Sequence, residues 1–510
     1  INSTSQILNE VGLRKMLFSR NKLSLVSSAL ICFISLSNFP TLQGAKQSYL
    51  SNSTKAHLST FYNDEQIEGS KHGTFQQLGQ DLNGISDGDY FGYSVAVSSD
   101  GLTVSSTGKF GDVRVFKLDS IKQTWNQIGQ SIGDDSNGNK SSHSVSLSSD
   151  GMTVAIGTPL FLNDESFAGQ TRIFSFDIDS NSWVQMGDAI DGKEAGDQSG
   201  WSVDLSSNGK TVVIGAPTND NNGTSSGQAL VFSYNERSQT WDQIGQPIDG
   251  EHANDYAGYS VSLSSDGTTL SIGSPNSNIN GDFSGKTRIF SFKRKRNKWT
   301  QIGNDINGQA AGDQLGKSIS LSSDGMTVAS GAVGNDNTEY YSGHVRVYTL
   351  DKITKSWIQL GDDISGEARC DSSGWSVSLS SDGKSVAIGA IYNNDNGEFS
   401  GHTRIYTFDS ISENWVKVGT DIDGESKFDL SGWSVSLSSD GTSVAIGAIK
   451  NNGDGIHGGV VRVYELYFTS APSVVPSFLP SVTPSVVPSA TPSLVPSATP
   501  SVLPSVTPSV

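Results

Sequence analysis

The chain has 510 residues, 56 of them glycine, with a charged fraction of 17% and a formal charge of -18. So much glycine with so few charges suits a turn-rich β protein better than a helical one. The acidic balance opposes binding to nucleic acid or anionic membranes through a general basic surface, and leaves cations, neutral ligands and proteins as partners.

In chain order, residues 1–44 read as a leader. Met16 opens "MLFSRNKLSLVSSALICFISLSNFPTLQG", where Arg20 and Lys22 precede an apolar run from Leu23 to Leu36. Length, flanks and order are those of a secretory signal, with Met16 as the expected start and cleavage after Ser37 or Gly44. A spanning helix needs roughly 20 apolar residues, so no direct membrane span is expected. Residues 1–15 contain no Met and the tail stops in mid-repeat, so both ends are expected to differ from the natural ones. Of the two cysteines, Cys32 lies in the leader, and Cys370 is expected to be buried and unpaired. Residues 45–73 read as a linker.

Residues 74–468 repeat. Aligned on the Gly or Ser before an aromatic position, the copies begin at Gly92, Ser142, Gly200, Gly258, Gly316, Gly374 and Gly432, spaced by 50 once and then by 58. Within a copy, "SVSLSSDGMTVAIG" alternates as two strands around an Asp-Gly turn, with Asn208-Gly209 as the one variant. A polar loop, a third strand such as "HTRIYTF" and a fourth such as "NWVKVG" follow. Seven four-stranded antiparallel units without helices predict an all-β, seven-bladed β-propeller. The last copy stops after its third strand, while "TFQQLGQDLN" at 74–83 matches a fourth strand before any first strand has appeared. The N-terminal strand is therefore predicted to complete the last blade, with Phe75 standing where Trp125, Trp183, Trp241, Trp299, Trp357 and Trp415 stand elsewhere. Residues 469–510 carry Pro-Ser every four residues and read as a disordered, polyproline-type stalk.

"FGYSVAVSSDG" (91–101) and "VVIGAPTNDNNGTSSGQALVFSY" (212–234) resemble FG-GAP repeats, the units of integrin α-type propellers. Phe91-Gly92 matches the FG end and Gly215-Ala216-Pro217 the GAP end. The resemblance covers 74 to about 468 and implies a seven-bladed propeller engaged in extracellular adhesion or ligand binding. Many such repeats carry an Asp-rich calcium loop between the first two strands; here that place holds a short Ser-Ser-Asp-Gly turn, so the family's calcium site is not carried over.

Several positions recur once per blade. The fourth-strand aromatics are what packing of adjacent blades requires. A second aromatic position follows the opening Gly, at Tyr93, Trp201, Tyr259, Trp375 and Trp433, with His143 and Lys317 in the other copies. It begins the innermost strand near one mouth of the channel; core packing is the plainer reading, and stacking of ring faces on sugars is the functional one, kept open because a buried packing position rarely accepts Lys. An acidic ring comprises Asp89, Asp197, Asp255, Asp313, Asp371 and Asp429, with Asn139 in the exception. A basic ring on the third strand comprises Arg114, Arg172, Arg288, Arg346, Arg404 and Arg462, with Leu230 in the exception. Structural ion pairs between the Asp of one blade and the Arg of the next are expected; Asp capping its own turn is the simpler alternative. The Asn- and Asp-rich loops near 219, 276 and 393 read as Asx turns rather than calcium ligands, which would need six to eight oxygens. "KRKRNK" (293–298) reads as a solvated turn, and Asn52, Asn139 and Asn222 begin glycosylation sequons.

No catalytic motif or shared histidine position is found, apart from His344 and His402, and the blades stay alike where an enzyme needs unlike groups converging. The expectation is a monomeric, secreted or wall-associated propeller, non-catalytic and without a cofactor, that binds extracellular glycan or protein. A calcium-dependent integrin-type adhesion module and a glycan-processing enzyme are the alternatives.

Overall fold

The computed structural model describes residues 73–109, 111–133, 142–160, 167–452 and 456–468. The leader, nearly all of the linker, the Pro/Ser stalk, Asn52 and Asn139 lie outside these residues. Within them the chain forms seven antiparallel sheets arranged as a propeller. The third blade is representative: Ser202–Leu205 is innermost, followed outward by Thr211–Ala216, Gln228–Asn235 and Thr240–Gln243. A two-residue segment, Ile248–Asp249, pairs with the third strand beyond the outer one. This addition to the predicted four strands arises because Gly245, at φ +71°, breaks the outer strand before pairing resumes.

Closure follows the sequence prediction. Gly73–Gln77 pairs antiparallel with Val460–Phe468, bringing Phe75 opposite Leu466. The innermost strands touch their neighbours around the whole ring, the first blade's Ser94–Val97 meeting the last blade's Ser431–Leu437. One sheet is thus built from both ends of the propeller chain, so that the long strand Val460–Phe468 is paired on both sides instead of standing as a sheet edge.

The hairpin at Asp-Gly departs from the predicted two-residue turn. Gly101 N–H donates to Ser98 O at 3.0 Å, and only the glycine takes positive φ, +73° at Gly101. Asp100 acts through its side chain instead, accepting from Leu102 N–H at 3.0 Å and from Ser98 Oγ. Asn208 accepts the corresponding bonds from Lys210 N–H and Ser206 Oγ. Asp and Asn interchange here because both offer the same carbonyl-type oxygen, not because both tolerate positive φ.

The serines of "SVSLSS" hold blade to blade. Ser144, Ser202, Ser260, Ser318 and Ser376 each donate to the glycine carbonyl opening the next blade, and Ser434 closes the circle on Gly92 O at 2.7 Å. At the turn, a cycle of backbone bonds runs Ser99, Ser149, Ser207, Ser265, Ser323, Ser381, Ser439 and back to Ser99. The receiving glycine must be a glycine: Gly92 has φ +89°, and a Cβ there would sit 2.9 Å from Gly447 Cα.

At the rim, each outer-strand Trp reaches back to the preceding blade. Trp299 Nε1 donates to Ile244 O at 3.0 Å, and Trp125, Trp183, Trp241, Trp357 and Trp415 repeat the bond. These rings fill the interfaces between blades with the apolar residues of the second and third strands. Cys370 is buried at 4% exposure. It is disulfide-bonded, which corrects the expectation of an unpaired thiol. The chain's other cysteine, Cys32, lies outside the described residues, and the expectation had removed it with the leader.

Candidate functional site

The innermost strands start at one mouth of the propeller axis, and the residue after each opening Gly is placed there. The seven side chains meet as one closed circle. Tyr93 and His143 have ring centroids 5.0 Å apart, His143 and Trp201 4.2 Å, and Trp201 and Tyr259 5.4 Å. Lys317 Nζ stands 4.3 Å over the Tyr259 ring and 4.8 Å over that of Trp375. Trp375 lies 5.0 Å from Trp433, and Trp433 5.4 Å from Tyr93. All seven are half-buried, turned between the sheets and the mouth.

This explains the lysine. Its ammonium donates to Tyr259 Oη at 2.6 Å and lies between two aromatic faces, which attract a cation. Burial pushes the Lys317 ammonium down to about 7. His143 is pushed down to about 4, first by burial, and is neutral at physiological pH. Its Nδ1 lies 2.9 Å from Trp201 O, which only accepts, so Nδ1 carries the proton and Nε2 faces Tyr93 Oη at 3.3 Å. Burial raises the Tyr93 and Tyr259 hydroxyls, keeping both protonated as donors.

Beyond the circle the blades diverge. Trp375 touches Tyr392 at 6.3 Å, Tyr392 touches Phe399 at 5.3 Å, and Phe399 touches Phe428 at 5.9 Å. With Leu430, Ile391, Ile449 and Tyr90 they form an apolar annex to the mouth, and Phe428 is 37% exposed at its outer end. The sequence reading missed Tyr392, Phe399 and Phe428. For Tyr392 and Phe428 the signal was the departure of one blade from the rest: Gly334, Asn276 and Thr218 stand at the Tyr392 position of the preceding copies; Phe399 instead recurs as aromatic Tyr341 and Phe283.

The opposite mouth is a polar cavity of about 170 Å³, lined by the turn serines and by Asp204. Asp204 stands where Ser146, Ser262, Ser320, Ser378 and Ser436 stand in other blades, and was also missed. Its carboxyl accepts from Ser146 Oγ at 2.9 Å, Leu205 N–H at 2.9 Å, Leu263 N–H at 2.8 Å and Ser262 Oγ at 3.3 Å. Burial outweighs these donors and raises its pKa above the ordinary 3.8. A raised carboxyl favours the protonated form in the folded state, so its destabilising effect appears as pH rises through and above 3.8 and is absent below. Asp204→Ser supplies the hydroxyl that receives the equivalent Leu N–H elsewhere, as Ser262 does for Leu321. Its stability relative to wild type is expected to rise between pH 4 and pH 7 in denaturant titrations; a pH-independent difference would contradict the raised carboxyl.

The Asp ring is not paired with the Arg of the next blade. Asp313 Oδ2 accepts from Gln309 and Ala310 N–H at 2.8 and 2.9 Å, and Asp197, Asp255, Asp371 and Asp429 cap the same turn. Asn219, Asn335 and Asn451 donate to Asp197, Asp313 and Asp429. Asp89 caps Ile85 N–H and lies 3.8 Å from Arg114 of its own copy. Short-range capping wins because the Asp is four residues or fewer from the backbone N–H donors it satisfies.

The Arg side chains do join blades, but through other acids. Glu251 pairs with Arg288, Glu367 with Arg404 and Glu425 with Arg462, always 37 residues apart. Where the Arg is replaced by Leu230, the residue 37 before it is Lys193, so both partners change together. Arg346, whose counterpart of the glutamate is Gln309, binds Asp363 of its own blade through two bonds of 2.7 and 2.6 Å. Arg172 lies 5.7 Å over the Phe174 ring.

The polar loops turn on their own oxygens. Asn219, Asn335 and Asn393 accept the N–H two residues on, as Asx turns do. The Nδ2 of Asn222, the atom a glycan would modify, already donates to Gly250 O at 2.8 Å and Glu251 O at 3.1 Å. Asn280 and Asn396 repeat that contact without a sequon. Arg294–Arg296 form one exposed 3₁₀ turn.

Comparison with known proteins agrees with the sequence reading. An FG-GAP repeat model matches residues 189–232, from the last segment of the second blade into the third strand of the third, and together with the seven-bladed propeller this fits FG-GAP-like repeat proteins. The sequence matches no curated protein. Among solved structures, Kuenenia stuttgartiensis Hydrazine Synthase aligns over 80% of this chain and 99% of its own, at 12% identity and a TM-score of 0.45.

Proposed function

We propose that the chain is a secreted or wall-associated, non-catalytic propeller that binds glycan or protein ligands at its aromatic mouth. An FG-GAP propeller is in general a binding or adhesion type of module, and FG-GAP repeats are typical of extracellular proteins. The finer reading rests on one observation: seven half-buried side chains close a circle around the axis and extend outward through Tyr392, Phe399 and Phe428. Half-buried aromatic rings keep apolar area that a ligand can cover at low entropic cost. Lys317 and the Tyr259 hydroxyl add polar donors, a combination suited to sugar rings carrying hydroxyl or acidic groups.

The test is binding of the intact chain to a glycan array, with and without a calcium chelator. Binding that survives chelation is expected, since Asp100 and its counterparts use their oxygens on their own turns. Trp375→Ala is expected to weaken the strongest array hit roughly 30-fold, the loss of a hot-spot residue worth about 2 kcal/mol, while retaining a cooperative melt. Unchanged affinity in a folded Trp375→Ala protein would sink the aromatic-mouth reading.

A further inference from the structure

His402 opens the third strand of the sixth blade, pairing with Ala390 on one side and Asp423 on the other. Its side chain is 2% exposed and its Nδ1 has no hydrogen-bond partner. That nitrogen faces two carboxylates, Asp423 Oδ1 at 3.9 Å and Asp395 Oδ2 at 4.0 Å. Asp421 also lies within 4.8 Å of the Asp395 and His402 ligand atoms. A buried imidazole nitrogen without a partner, aimed between two acids just beyond hydrogen-bond reach, is costly unless something fills the gap.

Other blades show how this position is normally satisfied. Gln170 and Gln228 stand in place of His402 and donate to Asp191 and Asp249, the counterparts of Asp423, at 2.7 Å. In the fourth blade Lys286 takes the place, 1% exposed, and its ammonium pairs with Glu251 and, at 3.5 Å, with Asp255. Direct bonding thus completes the pocket in the second and third blades and a built-in cation in the fourth, whereas His344 of the fifth blade, like His402, has no hydrogen-bond partner on its ring. The sixth blade has neither, and it alone combines a histidine with acids at 395 and 423. In the fifth blade His344 meets Asn337 and Ser365 at those positions, and Asp363 is taken by Arg346.

Charge points the same way. Asp421, Asp423 and Glu367 face Arg404 or Lys417, and Asp395 stands beside Asp421 and Asp423. Four carboxylates against two cations leave an excess of two negative charges, which one divalent ion would neutralise. Asp421 is held by Lys417 at 2.8 Å and Arg404 at 3.3 Å, and Asp395 Oδ2 accepts a 3.3 Å bond from Asn393. Asp423 has the freest oxygens of the set.

We propose that His402 Nδ1, Asp395 and Asp423 form a site for one divalent transition-metal ion of the zinc type at the loop edge of the sixth blade. Imidazole with carboxylates suits zinc-type ions, whereas calcium takes oxygens only. Zinc bonds of 2.0–2.2 Å place tetrahedral ligands about 3.4 Å apart. The 4.0 Å separation closes by a small rotation of Asp395, whose side chain is 56% exposed, and the 3.9 Å separation by one of Asp423, 37% exposed. Ligands here come from the second-to-third-strand loop, the third strand and the segment after the fourth, so the site is separate from the Asp-Gly hairpin turns.

The experiment is a titration of the intact, metal-stripped chain with Co²⁺ followed by Zn²⁺, read by visible absorption, calorimetry and melting temperature. One Co²⁺ per chain is expected, with d–d bands that Zn²⁺ abolishes by displacement, and a higher melting temperature with either ion. His402→Gln should lower affinity at least 10-fold, and it places in the sixth blade the residue that the second and third blades carry, so the fold is kept. His344→Gln should leave binding unchanged. Absence of Co²⁺ and Zn²⁺ binding, equal binding by His402→Gln, or a response to Ca²⁺ alone would each overturn the site.

Discussion

Trp299→Ala is expected to destabilise the propeller by about 3–5 kcal/mol, the range for truncating a large buried aromatic residue. The ring is 1% exposed and packs 5.1 Å from Phe292. It also covers Gly245, where a Cβ would come within 2.5 Å of the indole. The glycine allows the backbone of the fourth blade's predecessor to approach the ring, and alanine would leave that surface facing a cavity. Trp299→Phe keeps most of the volume and removes only the N–H bond to Ile244 O, so about 1 kcal/mol is expected. The closing strand already runs on a phenylalanine: Phe75 packs against Gly419 at the same place in the interface. Chemical denaturation of the two variants beside wild type separates ring packing from the hydrogen bond. A Trp299→Ala protein as stable as wild type would mean that the outer-strand tryptophans do not hold adjacent blades.

A double-mutant cycle on Arg346 and Asp363 is expected to show strong coupling, whereas the same cycle on Arg346 and Asp255 should be additive. Arg346 is 3% exposed and binds Asp363 through Nε and one terminal nitrogen, the two-pronged geometry that carboxylates favour. Removing one partner of such a pair costs about 3 kcal/mol, largely from the charge left behind, and coupled neighbours deviate from additivity by up to about 3 kcal/mol. Asp255 instead caps the His252 and Glu251 N–H groups, and its side chain faces Lys286 at 3.5 Å. The pair also carries a pH signature. Burial alone would raise the Asp363 carboxyl, but the bonds from Arg346 and Gln359 outweigh it and hold the group below the ordinary 3.8. A depressed carboxyl contributes stability that is fully present above 3.8 and is lost as pH falls through the folded-state value. The stability gap between wild type and Asp363→Asn should therefore be widest near neutrality and narrow below pH 3.8.

Much of this fold was legible in the chain. The 58-residue spacing, the alternation of "SVSLSS" and "TVAIG", and the fourth-strand phrase at 74–83 predicted seven blades and their closure, because each follows from a local period or a count. The mouth was legible as a position in the repeat, since Tyr93, Trp201, Tyr259, Trp375 and Trp433 share one offset with His143 and Lys317. That these seven side chains touch in a closed circle was not, because contact depends on how far each innermost strand leans toward the axis.

The charge pattern shows the limit more sharply. The Asp and Arg rings were both visible, and their gaps suggested a partnership. Yet Asp satisfies amides a few residues away, and the Arg finds a glutamate 37 residues back. A regular repeat makes every once-per-blade offset equally regular, so periodicity alone cannot choose among partners. Distance does. Tyr392 and Phe428 escaped for the opposite reason: a pattern sought in recurrence hides residues that are aromatic in one blade only.

By itself, then, the sequence determined the architecture, the number of blades, the sheet that joins both ends and the repeat position that lines one mouth, because hydrophobic period and turn chemistry act within a few residues. Only the tertiary structure decided which charges meet, why a lysine is tolerated among aromatic rings, and that His402 stands short of two carboxylates. Those outcomes depend on ångström-scale separations between segments tens of residues apart, and such separations are set by the packing of whole blades.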